Sequence, residues 1–148
     1  HGILSACGAR IFAPDITRDN FFYGARVIDG GEIVMRDGLI KDSTFGSSVS
    51  ASNNSSFIGT DYQGCTTNII ASGSNVNAYG TTCTTGGNPN YHISAISSNV
   101  NAGLSNVTVT PVAYAIQASN GSVINAYGAT GTLSQTANTI TSNGLIIQ

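Results

Sequence analysis

Ser74-Asn-Val-Asn-Ala-Tyr-Gly80, Ser98-Asn-Val-Asn-Ala-Gly-Leu104 and Ser122-Val-Ile-Asn-Ala-Tyr-Gly128 are three versions of one string, and each begins 24 residues after the last. Extended upstream at the same spacing, the register gives three columns. They are Ser50/Ser74/Ser98/Ser122, Asn53/Asn77/Asn101/Asn125 and Thr60/Thr84/Thr108/Thr132. A fixed period of this length is the mark of a stacked repeat. Helical repeats would need a 3.6-residue apolar stripe and good helix formers, and this tract has neither. Leucine-rich repeats would need leucines in phase, whereas Leu104, Leu133 and Leu145 share none. Short alternating runs of Ser, Thr, Asn, Gly and β-branched residues instead favour strands and turns.

A coil of 24 residues suits three short strands joined by corners, with coils stacking about 4.8 Å apart and each backbone amide bonded to the coil above or below. Parallel crossovers are almost always right-handed, so we expect an all-β fold, a right-handed parallel β-helix (β-solenoid) of about four coils over residues 50–148. Within the best-matched strand, alternation turns Val76, Val100 and Ile124 inward together with Ala78, Ala102 and Ala126. The asparagines between them then stack along the axis as an amide ladder, and the threonine column should stack likewise.

The first 49 residues differ in composition. Charged residues are 8% of the chain against about 25% in ordinary soluble domains. All five bases and six of the seven acids precede Ser43, and Tyr62–Gln148 carries no Asp, Glu, Lys or Arg. Runs such as Arg26–Ile28, Glu32–Arg36 and Leu39–Lys41 alternate with Asp29-Gly30-Gly31 and Asp37-Gly38. Asp-Gly suits tight hairpins, so residues 1–49 are expected to form a small β-meander, or irregular first coils, that caps the solenoid. The chain begins at His1, and Ala9–Asn20 reads like the interior of something longer, as in a trimmed or processed fragment.

Composition narrows the function classes. A net charge of −2 without a basic cluster argues against nucleic acid. No apolar run approaches the length of a membrane span, so membrane insertion is not expected. Cys7, Cys65 and Cys83 lack metal-ligand spacing, no metal or cofactor motif is present, and we read the three as small hydrophobes, with a Cys65–Cys83 bond as the alternative. Close carboxylates, which a glycosidase needs in pairs, occur only as Asp15/Asp19 and Asp29/Glu32. Asp29 and Asp37 already read as turn residues, and Glu32 and Arg36 as solvated strand positions. His92 stands far in sequence from every acid.

The aromatics are the remaining lead. Tyr79 and Tyr127 share a phase two coils apart, and Tyr91 and His92 follow the loop-like Thr85-Gly-Gly-Asn-Pro-Asn90. Aromatic faces flanked by Asn, Ser and Thr bind sugars, which makes Tyr79, Asn88, Asn90, Tyr91, His92 and Tyr127 the candidate carbohydrate-binding residues. The competing reading is that the tyrosines merely cap coil corners, and the chain has no Trp.

The uncharged Ser/Thr/Asn/Gly tract and the Ser-x-Val-Asn-Ala-Tyr-Gly coils resemble the distal, receptor-binding part of bacteriophage tail fibres and tailspikes, over about Ser50–Gln148. That resemblance implies a homotrimer of parallel β-helices, carried on the virion tail, that attaches to a bacterial surface polysaccharide. Many members of that family also cleave the glycan with Asp/Glu pairs, as polysaccharide depolymerases. Here the solenoid tract lacks such pairs, so hydrolysis would need residues 15–61, a neighbouring subunit or upstream sequence. The readings therefore run from attachment module, through a piece of a degrading tailspike (glycosidase or lyase), to a secreted adhesin or ice-binding solenoid. The last would use Thr82-x-Thr84 and Thr130-x-Thr132, an array that Asn106-x-Thr108 interrupts.

Overall fold

The computed structural model describes residues 2–52, 54–83, 89–108, 114–131, 139, 140 and 143–148, and they form a parallel β-solenoid of about six turns. Coil one holds β1 (Ile3–Ser5), β2 (Arg10–Pro14) and β3 (Thr17–Asp19), and coil two β4 (Tyr23–Val27), β5 (Glu32–Arg36) and β6 (Leu39–Lys41). Coil three holds β7 (Phe45–Ser50), β8 (Ser55–Ile58) and β9 (Asp61–Gln63), and coil four β10 (Thr67–Ser72), β11 (Asn75–Asn77) and β12 (Thr82–Cys83). Coil five holds β13 (Tyr91–Ile96), β14 (Asn99–Asn101) and β15 (Asn106–Val107), and coil six β16 (Tyr114–Ser119), β17 (Val123–Asn125) and β18 (Thr130–Gly131). Two further strands, β19 (Thr139–Ile140) and β20 (Leu145–Ile147), extend the stack. The first strand of every coil joins sheet one, the second sheet two and the third sheet three, which hold seven, seven and six strands.

The solenoid starts well before Ser50. β7 pairs in parallel with β4 on one side and β10 on the other, so residues 2–49 are first coils of the same sheets, the second of the two expectations, and not a meander. Asp29 and Gly30 do take φ of 52° and 74°, as a tight turn requires. The strands they join, β4 and β5, nevertheless lie in different sheets, so the turn is a coil corner and not a hairpin.

The coil length also changes along the axis. Ile3 faces Ala25 and Tyr23 faces Phe45, a 22-residue step, whereas Thr67 faces Tyr91 and Asn75 faces Asn99, a 24-residue step. The 24-residue register is therefore local to the middle coils and slips when carried upstream. Ser50 pairs with Ser72, and it is Ser52 that sits beneath Ser74. Thr60 precedes the Asp61–Thr82 pair and so lies beneath Thr81. Thr84, Thr132 and Asn53 lie outside the described residues, and Ser56 is the residue paired beneath Asn77.

Each coil turns its corners on residues in the left-handed region. Between sheets two and three the column reads Asp15, Asp37, Gly59, Gly80, Leu104 and Gly128, with φ from 50° to 70°. Between sheets one and two it includes Asp29, Ala51, Gly73, Ser97, Asn120 and Asn143, and between sheets three and one Asn20, Asp42 and Gly64. Asp and Asn tolerate this conformation better than other residues with a side chain, because they can bond locally to their own backbone. Serines at the first corner then repair the ladder that the bend interrupts. The backbone N–H groups of Ser52, Ser74 and Ser98 donate to the hydroxyls of Ser74, Ser98 and Ser122 at 3.1–3.2 Å. Each of those hydroxyls donates onward to a backbone carbonyl just upstream: Ser72, Ile96 and Ser119.

The interior follows alternation. Val76, Val100 and Ile124, with Ala78, Ala102 and Ala126, are all buried as expected. Tyr62 is the largest fully buried side chain, and it fits because its neighbour in sheet one is Gly46: a Cβ there would lie 2.5 Å from the tyrosine ring. Its hydroxyl is satisfied by Ser47 at 2.8 Å, which meets the need of a buried polar group for a partner.

Candidate functional site

The outer face of sheet two is where the sequence pattern produces an amide-rich hydrogen-bonding surface, charged at one end and uncharged over the middle coils. Alternate residues of each strand point outward, and in-register pairing aligns them into rows. One row runs Arg10, Glu32, then on to Asn75, Asn99, Val123 and Leu145; the next runs Phe12, Val34, Ser56, Asn77, Asn101, Asn125 and Ile147. Together they line an open groove of about 730 Å³ that follows the solenoid axis from Arg10, Glu32 and Arg36 to Asn125. Arg10 pairs with Glu32 at 3.3 Å, which confines the charge to one end.

The asparagines are held by bonds of two kinds, and Asn77 and Asn101 make both. Along the axis, Asn101 Nδ2 donates to Asn77 Oδ1 at 3.3 Å, and Asn99 Nδ2 to Asn75 Oδ1 at 2.9 Å. Along the chain, Asn77, Asn101 and Asn125 each accept from the backbone N–H two residues on, at 3.1–3.4 Å. That second bond shapes the corner carrying Tyr79, Gly103 and Tyr127. An amide has two N–H donors, so an Nδ2 group bonded along the ladder keeps a second hydrogen for solvent or a ligand.

The six candidate sugar-binding residues do not converge. Tyr79 and Tyr127 are 41% and 72% exposed on the corner beside the groove. Asn90 and Tyr91 lie at the start of β13, across sheet three at a different corner, and Asn88 lies outside the described residues. His92 is fully buried and cannot meet a surface ligand. It occupies a column with Asn68 where sheet one turns two successive side chains inward, as the buried pairs Asn68/Ile69 and His92/Ile93 show. Its imidazole takes part in an internal relay. Asn68 Nδ2 lies 2.8 Å from Nδ1, Nε2 lies 3.4 Å from Thr81 Oγ1, and Thr81 meets Ser105 at 2.9 Å. Ser105 donates to Ala78 O at 3.1 Å. Burial pushes the imidazole pKa down to about 3, which keeps His92 neutral in the fold at ordinary pH.

The carboxylates of the first coils have structural roles. Asp15, Asp29, Asp37 and Asp42 are left-handed corner residues, Asp19 bonds Lys41 at 3.0 Å and Glu32 bonds Arg10. Asp61 accepts from Gln63 and from Thr82. Cys65 and Cys83 are buried free thiols, both pushed up to about 11 chiefly by burial, and Cys7 is exposed. Among the described residues no cluster of three His, Cys, Asp or Glu is placed to hold a metal ion.

Two features escaped the sequence reading. The Asn75/Asn99 ladder doubles the amide surface, and its signal was present in the Asn-Val-Asn strings, whose first asparagine shares the outward face with the second. The other is an aromatic cluster on the first coils: Tyr23 stacks on Phe45 at 5.3 Å, Phe22 meets both edge-on, and the Arg26 guanidinium lies 4.6 Å above the Tyr23 ring. Its stacked pair, Tyr23 and Phe45, is 22 residues apart, so a search at 24 passes over it. Comparison with family models, with curated proteins and with solved structures finds no match to this chain.

Proposed function

We propose that this chain is a host-attachment module of a bacteriophage tail fibre or tailspike, and that it binds a neutral bacterial surface polysaccharide along the outer face of sheet two. The observation that carries the reading is the axial groove. Six asparagines, Asn54, Asn75, Asn77, Asn99, Asn101 and Asn125, line it, and Tyr79 and Tyr127 stand exposed two residues beyond Asn77 and Asn125. A neutral glycan needs hydroxyl and amide partners and an occasional aromatic platform, whereas an anionic one would call for Lys or Arg, which this groove carries only at its Arg10/Arg36 end and not along the asparagine rows. Each sugar contact contributes only about 1 kcal/mol, because it replaces a bond to water. A repeating polymer engaged by several copies multiplies such contacts through effective concentration, and we propose a homotrimer as that assembly.

Cleavage forms no part of the proposal, since the acids of the first coils hold corners and ion pairs. The test is competition. The isolated chain should bind host cells and block adsorption of intact phage, and Asn77→Ala with Asn101→Ala should weaken that binding. A chain that binds no cells and leaves adsorption unchanged would overturn the attachment reading. Sedimentation at micromolar concentration should give three chains per particle, and a monomer there would rule out the trimer.

A further inference from the structure

The groove's two kinds of contact repeat with different periods. Amides recur on each of coils four to six, since Asn77, Asn101 and Asn125 occupy successive strands in register. The aromatic platform recurs only on every second coil, because Gly103 stands in the Tyr79/Tyr127 column at the coil between them. That glycine is a functional gap as well as a corner: a Cβ on it would sit 3.4 Å from the Tyr79 ring and 3.3 Å from the Tyr127 carbonyl. Leu104, exposed beside Gly103, keeps that coil apolar, so it is the aromatic ring alone that skips it: the surface offers a hydrogen-bonding step of about 4.8 Å and an aromatic step of twice that.

A ligand matches both periods only if its polar groups repeat at each unit while its apolar face returns at every second unit. A flat ribbon of pyranose rings joined through equatorial positions has this property. Each ring advances by roughly the height of one coil. Each ring is also turned over relative to the last, so alternate rings present the same C–H face to the same side. A helically coiled α-linked glycan holds neither period against a straight wall. We infer that the ligand is an extended, neutral, diequatorially linked polysaccharide of the cellulose, mannan or chitin type, lying parallel to the solenoid axis. Its alternate rings stack on Tyr79 and Tyr127, and the ring between them crosses Gly103. The inference rests on the attachment reading and specifies the substrate class of the same groove.

The test is a calorimetric length series with the whole chain. The probes are cello-, manno- and chito-oligosaccharides of increasing length, with malto-oligosaccharides as the α-linked comparison. Three rings, one per coil, are the shortest oligomer that covers both tyrosines. In at least one diequatorial series, affinity should therefore step up at the third ring by roughly three- to tenfold, the scale of one aromatic contact. Tyr79→Ala and Tyr127→Ala should each abolish the step. Both side chains are exposed, so far-ultraviolet circular dichroism should remain that of the parent. The same step in the malto series, or a step that survives both replacements, would overturn the inference. Binding of the host polysaccharide without binding of any diequatorial oligomer would overturn it too, while leaving the attachment reading intact. Failure to bind host polysaccharide or cells at all would remove the attachment reading itself.

Discussion

Lowering the pH from 7.5 to 4.5 should destabilise this fold through a single side chain, His92. Its ring is fully buried, and Nδ1 accepts from Asn68 while Nε2–H points to Thr81. Desolvation takes its pKa from 6.5 down to about 3. The folded state therefore stays neutral at a pH where the unfolded chain has already bound a proton. Because the unfolded state binds more protons in this window, stability rises with pH: the contribution is complete above about 6.5 and is lost as pH falls toward 3. One pKa unit is worth about 1.4 kcal/mol, so the two units between 6.5 and 4.5 cost about 3 kcal/mol. That is a large fraction of the 5–15 kcal/mol typical of a whole domain. The assay is urea unfolding at half-unit pH steps, for the parent and for His92→Gln, which keeps a polar group in the relay but cannot titrate. The carboxylates are common to both chains, so the difference between the two curves isolates the histidine. A parent-minus-variant difference that stays flat from pH 7.5 to 4.5 would refute the burial argument, as would a His92 imidazole NMR signal, assigned by its loss in His92→Gln, that titrates near 6.5 in the folded protein.

Further outcomes follow from the same coordinates. Asn101→Ala should cost about 1–2 kcal/mol, since it removes the ladder bond to Asn77 and the bond from Gly103 N–H; Asn125→Ala, with only its local bond to Tyr127 N–H among the contacts described, should cost less in parallel denaturation curves. Gly46→Ala should destabilise by about 2–3 kcal/mol, because its Cβ would lie 2.5 Å from the Tyr62 ring and from Asn68 O in a core with no slack; a drop in melting temperature measures it. Mass spectrometry after brief iodoacetamide treatment of the native protein should find Cys7 labelled alone. Cys65 and Cys83 are buried and protonated near neutral pH, and should react only after unfolding.

Much of the fold was legible because the strings at Ser74, Ser98 and Ser122 fall in three consecutive coils of equal length. Their alternation correctly sent Val76, Val100 and Ile124 to the core. Upstream the period shortens to 22, and the same logic then placed Ser50 where Ser52 belongs. The change in composition at Ser43 looked like a change of fold, yet its physical cause is narrower. Early coils place four Asp at left-handed corners and the five bases, Asp19 and Glu32 in strands, where later coils use almost only uncharged residues, so charge varies while the coil path does not. Asp29-Gly30 misled for a related reason: two residues with positive φ suit a hairpin and a solenoid corner alike, and only the long-range pairing of β4 with β7 distinguishes them.

The candidate site was legible in part, and the misplaced residue shows why. Asn90-Tyr91-His92 reads as an exposed polar-aromatic loop end, but strict alternation fails at that point of sheet one, where adjacent residues both turn inward. Asn68 one coil below supplies the hydrogen bond that makes a buried imidazole tolerable, a contact 24 residues away and invisible locally. The Asn77/Asn101/Asn125 column on sheet two was expected to be structural, and it is: each of the three holds a corner, and the ladders bind coil to coil. That role is also what makes them useful to a ligand. A side chain fixed by bonds along the axis and along the chain loses little further entropy when its remaining N–H meets a hydroxyl. Structural and binding roles therefore do not compete for these amides, and the rigidity that the ladder confers sets the groove's spacing.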